Sequence, residues 1–156
     1  MIVLDIPGRS LIEAETLVMD YNGTLAIDGI MIQGVRERLI ALAPLLKLFI
    51  VTADTFGKAK ENLKDIDCGL IILQSGNQQQ QKAEFVKKLA TQGVIAIGNG
   101  LNDPLMLKYA TLGIGLIQKE GASRQALLSA EIIANNILDA LDLLINPLRI
   151  AATLRK

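Results

Sequence analysis

The sequence predicts an α/β fold, a doubly wound and mostly parallel sheet with helices on both faces. Three observations lead there. Short apolar runs rich in β-branched residues alternate with helix-length segments along the chain. Most of those runs are continuous rather than alternating, as parallel strands covered on both faces require. Polar residues gather immediately after several of them, where sheets of this kind build their binding crevice. The 156 residues suit a single domain over 1–156, and 51% apolar against 21% charged content provides for a buried core.

In chain order, Ile2–Ile6 reads as a decorating strand, and Thr16–Met19 as the first core strand. Asp28-Gly29 is a hairpin signal, and Gly34–Ala43 is the first helix. Strand Leu48–Val51 precedes helix Phe56–Leu63, and strand Leu70–Leu73 precedes helix Gln79–Thr91. In that last helix Ala83, Val86, Leu89 and Ala90 recur at helical spacing, while Lys82, Glu84, Lys87 and Lys88 take the other side. The glutamine run Gln78 to Gln81 is its solvated first turn. Val94–Ile97, Pro104–Ala110, Gly113–Ile117, Ser123–Leu128 and Ile132–Ile133 continue the alternation, with right-handed crossovers expected. The segment Ile137–Leu154, beginning with helix Ile137–Ile145, has apolar spacing and basic ends at Arg149, Arg155 and Lys156. It reads as a packing or oligomer helix.

Composition closes off several functions. With no histidine, the chain has no imidazole base, no His-ligated metal and no Ser-His-Asp triad. A single cysteine, Cys68, rules out an internal disulfide framework and a multi-cysteine zinc site; with no basic partner evident it reads as an inert thiol. Sixteen basic against sixteen acidic residues disfavour a nucleic-acid partner. The start lacks the basic region of a signal peptide, and the apolar stretch Leu39 to Ala53 is broken by Pro44 and Lys47, so a cytoplasmic protein without a membrane partner is expected.

The chemistry lies after the strands. Asp20-Tyr21-Asn22-Gly23-Thr24 follows the first core strand, Thr52-Ala53-Asp54-Thr55 the second, and Gly98-Asn99-Gly100-Leu101-Asn102-Asp103 the fourth. Lys82 could reach the same crevice from its helix. A strand-end carboxylate such as Asp20 is a competent nucleophile toward phosphorus once a cation shields the two anions from each other. Gly23 allows close backbone approach, with N–H groups available to phosphate oxygens. Thr52 can donate to a phosphoryl oxygen, and the Lys82 ammonium can neutralise another. Asp103, with the amide oxygens of Asn99 and Asn102, offers hard oxygen donors suited to Mg2+. Asp103 and Thr52-Ala53-Asp54-Thr55 also make good helix starts. Together these groups suit phosphoryl transfer.

Asp20-Tyr21-Asn22-Gly23-Thr24-Leu25 resembles the D-x-x-G-T-L/V nucleophile loop of the haloacid dehalogenase-like (HAD) superfamily. Thr52 looks like its second-motif hydroxyl, Lys82 like its third-motif lysine, and Gly98–Asp103 like its G-D-G-x-N-D metal loop. The order and the spacing of Lys82…Val86…Leu89 and Leu107-Lys108…Ala110 are similar to the phosphorylation domain of P-type ATPases, across about Val18 to Ile133. The resemblance implies a Mg2+-dependent phosphohydrolase working through an aspartyl-phosphate. Asp20, Asn22, Thr52 and Lys82 would be catalytic, and Gly23, Thr24, Thr52, Ala53 and Lys82 would bind phosphate. The metal would be held by Asp20, the Asn22 backbone carbonyl, Asn99 and Asp103.

Two departures qualify it. Asn22 stands where the superfamily's phosphomonoesterases carry an aspartate general acid and base, so turnover should be slow and substrates with good leaving groups, such as acyl or aryl phosphates, favoured. Asn99 stands where the direct metal ligand is usually aspartate, so weaker metal affinity is expected. The intervals from Asp20 to Thr52 and from Thr52 to Lys82 leave no room for a cap. An open crevice implies a large, even macromolecular, phosphorylated substrate, or a neighbouring copy in a homo-oligomer serving as lid. The alternative function is a non-catalytic module that binds a phosphorylated ligand. A carbon–halogen hydrolase fits less well, and no ion-pumping machinery is expected.

Overall fold

The computed structural model of the chain describes residues 1–53 and 57–156; Asp54 and the first residue of the expected helix Phe56–Leu63 lie outside the described residues. Two short strands open the chain, β1 (Ile2–Leu4) and β2 (Ile12–Ala14), followed by β3 (Thr16–Asp20). A small hairpin, β4 (Ala26–Ile27) and β5 (Ile30–Met31), leads to α1 (Val35–Leu42), β6 (Lys47–Thr52), α2 (Ala59–Leu63) and β7 (Gly69–Ile72). Next come α3 (Gln78–Leu89), a 3-10 turn (Ala90–Gln92), β8 (Val94–Gly98), α4 (Pro104–Tyr109) and β9 (Leu112–Leu116). The chain finishes with α5 (Arg124–Ser129), β10 (Ile132–Ala134), α6 (Ile137–Ile145) and α7 (Leu148–Leu154).

Six strands form one parallel sheet in the order β10-β9-β8-β3-β6-β7. Alternation along each strand divides the core in two, since successive side chains point to opposite faces. Leu17, Met19, Ile50, Ile95, Ile97 and Ile114 join Leu39 of α1 and Leu141 of α6 on one face. Val18, Val51, Val94 and Ala96 meet Val86 of α3, Met106 of α4 and Ala126 of α5 on the other. Phe49 and Phe85 meet edge to face there at 5.3 Å. Both faces are covered, which is why β3 and β8 are buried along their whole length and read as unbroken apolar runs.

The six expected core strands and the hairpin are present. Asp28 (φ 52) and Gly29 (φ 75) both take positive φ at the hairpin turn, as a two-residue connection demands. Two expectations change. The N-terminal strand is shorter than Ile2–Ile6 and finds its partner in Ile12–Ala14, antiparallel and outside the main sheet. Three residues with one polar member carry too little periodicity to announce that second strand. The C-terminal segment Ile137–Leu154 is two helices, because Pro147 cannot continue α6 and instead starts α7. Among the described residues, only the β4–β5 hairpin and α1 separate β3 from β6, and only α2 and β7 separate β6 from α3, so the core has no cap. Among the described residues, no helix is long and apolar enough to cross a membrane.

Candidate active site

The winding of the sheet reverses between β3 and β8, and at such a reversal the loops after the two strands diverge and leave a crevice. Met19 is level with Ile97, and Asp20 with Val51. Asp20, Thr52 and the Gly98–Asp103 loop therefore stand side by side at the carboxyl edge.

Lys82 is the hinge of this site. It is fully buried, and its Nζ lies 2.9 Å from Asp20 Oδ1 and 2.6 Å from Asp103 Oδ1. Burial works to lower the Lys82 pKa, but Asp20 and Asp103 outweigh it and hold the ammonium charged. Asp20 is pushed up to about 7, first by burial and then by Asp103, while Lys82 and the Tyr21 backbone N–H pull against the rise. Two carboxylates share one ammonium, so the cluster is built to receive further positive charge.

Asp103 precedes α4 without capping it through its side chain. Its Oδ2 instead accepts the Asn99 N–H at 2.9 Å and the Gly100 N–H at 2.8 Å, folding the loop around itself. A Cβ at Gly98 would fall 2.5 Å from that carboxyl carbon, which explains glycine there. With Lys82 as third donor, Asp103 keeps about one of its roughly four acceptor positions.

The loop from Asp20 to Ala26 is a tight turn. Leu25 and Ala26 N–H groups donate to the Tyr21 carbonyl at 2.8 and 3.0 Å, and Gly23 N–H donates to Ala26 at 2.7 Å. Thr24 N–H also turns inward, to Tyr21 at 3.2 Å. The Gly23 and Thr24 N–H groups are therefore both taken up within the turn itself. Gly23 contributes room: at φ 78 its missing Cβ would lie 2.9 Å from the Asn99 amide. The buried Thr24 hydroxyl donates to Asn99 Oδ1 at 3.3 Å, while Asn99 Nδ2 donates to the Gly121 carbonyl at 3.1 Å, so the Asn99 amide has a fixed orientation. Thr52 is buried at the end of β6, with half-buried Ala53 after it. Cys68 lies on the opposite edge, before β7, with burial and then Asp67 raising its thiol pKa, as an inert thiol would have.

Among the described residues, no three acidic, histidine or cysteine side chains are gathered ready for a metal. The donor set nevertheless suits Mg2+, which takes one or two carboxylates, keeps several waters and draws on substrate oxygens. Asn22 Oδ1 is buried and unpartnered, and the Asn22 backbone carbonyl accepts no hydrogen bond among the described residues. A buried oxygen left without a donor is where a water or a cation belongs.

Two residues escaped the sequence reading. Gln118 (φ 35) donates through Nε2 to the Gly23 and Thr24 carbonyls at 2.6 and 2.9 Å and accepts the Ile137 N–H at 2.9 Å. It clamps the loop after Asp20 to the start of α6. Glu120 places Oε2 only 2.7 Å from where a Gly23 Cβ would be. The rule applied after the other strands, extended to β9, would have pointed to Gln118-Lys119-Glu120. Gln118→Ala removes three bonds of about 1 kcal/mol each. It should lower the melting temperature by about 6–12 °C and speed amide exchange selectively in residues 21–26; unchanged exchange there would refute the clamp.

No family model matches the chain. It is 50% identical to an uncharacterized protein of Methanocaldococcus jannaschii over 72 residues, 46% of this chain and 77% of that protein. It is 28% identical over 141 residues to a soluble P-type ATPase-like phosphatase of the same organism, covering 87% of this chain but half the length of that phosphatase. Among solved structures it is similar to 3-deoxy-D-manno-octulosonate 8-phosphate phosphatase from Moraxella catarrhalis, a complex with magnesium and phosphate ions (TM-score 0.67, 19% identity, 90% of this chain and 93% of that one). The cobalt-bound enzyme from Haemophilus influenzae matches with TM-score 0.66 at 10% identity, over 92% and 94% of the two chains. A zinc-transporting PIB-type ATPase matches over 80% of this chain and 20% of its own, with TM-score 0.64 and 22% identity.

Proposed function

We propose, on the premise that this chain belongs to the haloacid dehalogenase-like superfamily, that it is a capless, Mg2+-dependent phosphohydrolase with Asp20 as nucleophile. One observation carries the reading: buried Lys82 bridges Asp20 and Asp103 at the reversal of the sheet. A structural ion pair would need one carboxylate. The second leaves an anionic cluster whose charge balances when Asp20 takes up a proton or a cation binds.

An Asp20 carboxylate oxygen attacks phosphorus, the bond to the leaving oxygen breaks, and an acyl phosphate forms. Water then attacks that phosphorus, releasing inorganic phosphate and restoring Asp20. Lys82 pulls the Asp20 carboxyl toward its ionised form and neutralises a phosphoryl oxygen; the Thr52 hydroxyl, the adjoining Ala53 backbone and the space over Gly23 hold the others. Asp20, the Asn22 carbonyl, Asn99 Oδ1 and the remaining acceptor position of Asp103 would hold Mg2+, which supplies charge neutralisation between the two anions. Thr24 fixes the Asn99 amide. Asn22 cannot protonate a leaving alkoxide, so aryl and acyl phosphates, whose leaving groups need no proton, are the substrates of choice.

Asn22→Asp restores a proton donor and should raise turnover of alkyl phosphates by about 10²-fold while helping aryl phosphates less. Beryllofluoride trapping, read by fluorine NMR, tests the nucleophile directly: a bound signal in wild type that Asp20→Asn loses supports it. Phosphate-analogue binding without any turnover would favour a phospho-ligand-binding module, for which the amides at Asn22 and Asn99 are the supporting observation.

A further inference from the structure

Asn99 is neutral at the position where the metal site wants an anion, yet a carboxylate stands beside it. Glu120 lies in the turn after β9, and its Oε2 and both terminal atoms of the Asn99 amide converge on one point above Gly23, at 2.7, 2.9 and 2.9 Å from it. Glu120 is exposed, but its carboxylate takes part in no hydrogen bond or ion pair among the described residues. The loop that carries it is fixed from both sides, by Gln118 on the Gly23 and Thr24 carbonyls and by the Gly121 carbonyl on Asn99 Nδ2. A carboxylate fixed beside the Asn99 amide adds negative potential at the point where a cation on Asn99 Oδ1 would sit.

Resting on the phosphohydrolase reading above, we propose that Glu120 supports the metal of this site through a metal-bound water. Its carboxylate supplies the negative charge that an aspartate at position 99 would bring. A hard divalent cation prefers anionic oxygen, and a neutral amide by itself gives a weak site. Glycine at 23 is then required twice, for the turn and because any side chain would separate Glu120 from Asn99.

The test is metal binding by the full chain, followed by the EPR signal of free Mn2+ and competed with Mg2+. Glu120→Gln should weaken binding at least about tenfold, the lower end for groups that support a metal site. Asn99→Asp in the Glu120→Gln background should restore it, and Lys119→Gln, altering an exposed neighbour, should leave it unchanged. If wild type binds Mn2+ and loses it with Asp20→Asn but not with Glu120→Gln, the proposal for Glu120 is overturned and the phosphohydrolase reading stands. If wild type takes up no Mn2+, the metal-dependent reading fails and this proposal with it.

Discussion

Lys82→Met is expected to lower the melting temperature at pH 8 by roughly 10 °C or more, the consequence of about 3–5 kcal/mol lost when one partner of a buried ion cluster is removed. Methionine fills much of the lysine's volume, so the loss is electrostatic. Lys82 is fully buried between Asp20 and Asp103, and without it two carboxylates face each other with no cation. Acid relieves that repulsion, since a carboxylate with a raised pKa accepts a proton as the pH falls through its folded value. The deficit relative to wild type should therefore shrink at about pH 5. A loss of equal size at both pH values, or one within about 2 °C, would show that the cluster does not carry this energy.

Asp20→Asn should abolish turnover and stabilise the metal-free chain, two effects of opposite sign from one substitution. Hydrolysis of an aryl phosphate should fall at least about 10³-fold, because an amide is not a nucleophile toward phosphorus. The gain in stability follows from the pKa. Between the unfolded value of 3.8 and the folded value of about 7, the folded chain retains a proton that the unfolded chain has lost. Stability from this group therefore declines as pH rises across that window and stays low above it. The asparagine variant escapes the decline, leaving Lys82 and Asp103 as a matched pair. Its melting temperature at pH 8, without divalent ions, should exceed that of wild type by several degrees, and the difference should vanish near pH 4. Retained activity would remove Asp20 as nucleophile; a lower melting temperature would contradict the charge balance.

The core strands were legible because their signal is local: burial on both faces leaves continuous apolar runs such as Leu17-Val18-Met19 and Val94–Ile97. Asp20, Thr52 and Asn99 were legible as the polar residues that follow strands. The β1–β2 pairing and the break at Pro147 were harder, one for want of length and the other because the apolar spacing runs on through α7. Gln118 and Glu120 went unseen because their significance lies across the chain, with Gln118 reaching carbonyls 95 and 94 residues away.

From the sequence alone follow the α/β class, the capless spacing, the absence of imidazole chemistry and the set of residues at the carboxyl edge. Tertiary structure decided how each of those groups is occupied. Asp103 holds Lys82 and its own loop, Gly23 and Thr24 spend their amides inside a turn, and a glutamate from the turn after β9 comes to rest over Gly23, on the side of the Asn99 amide. Periodicity and turn chemistry act over a few residues and can be read along the chain. A hydrogen-bond partner or a neighbouring charge is settled only when distant segments meet and each donor must choose among the acceptors that packing has brought within reach.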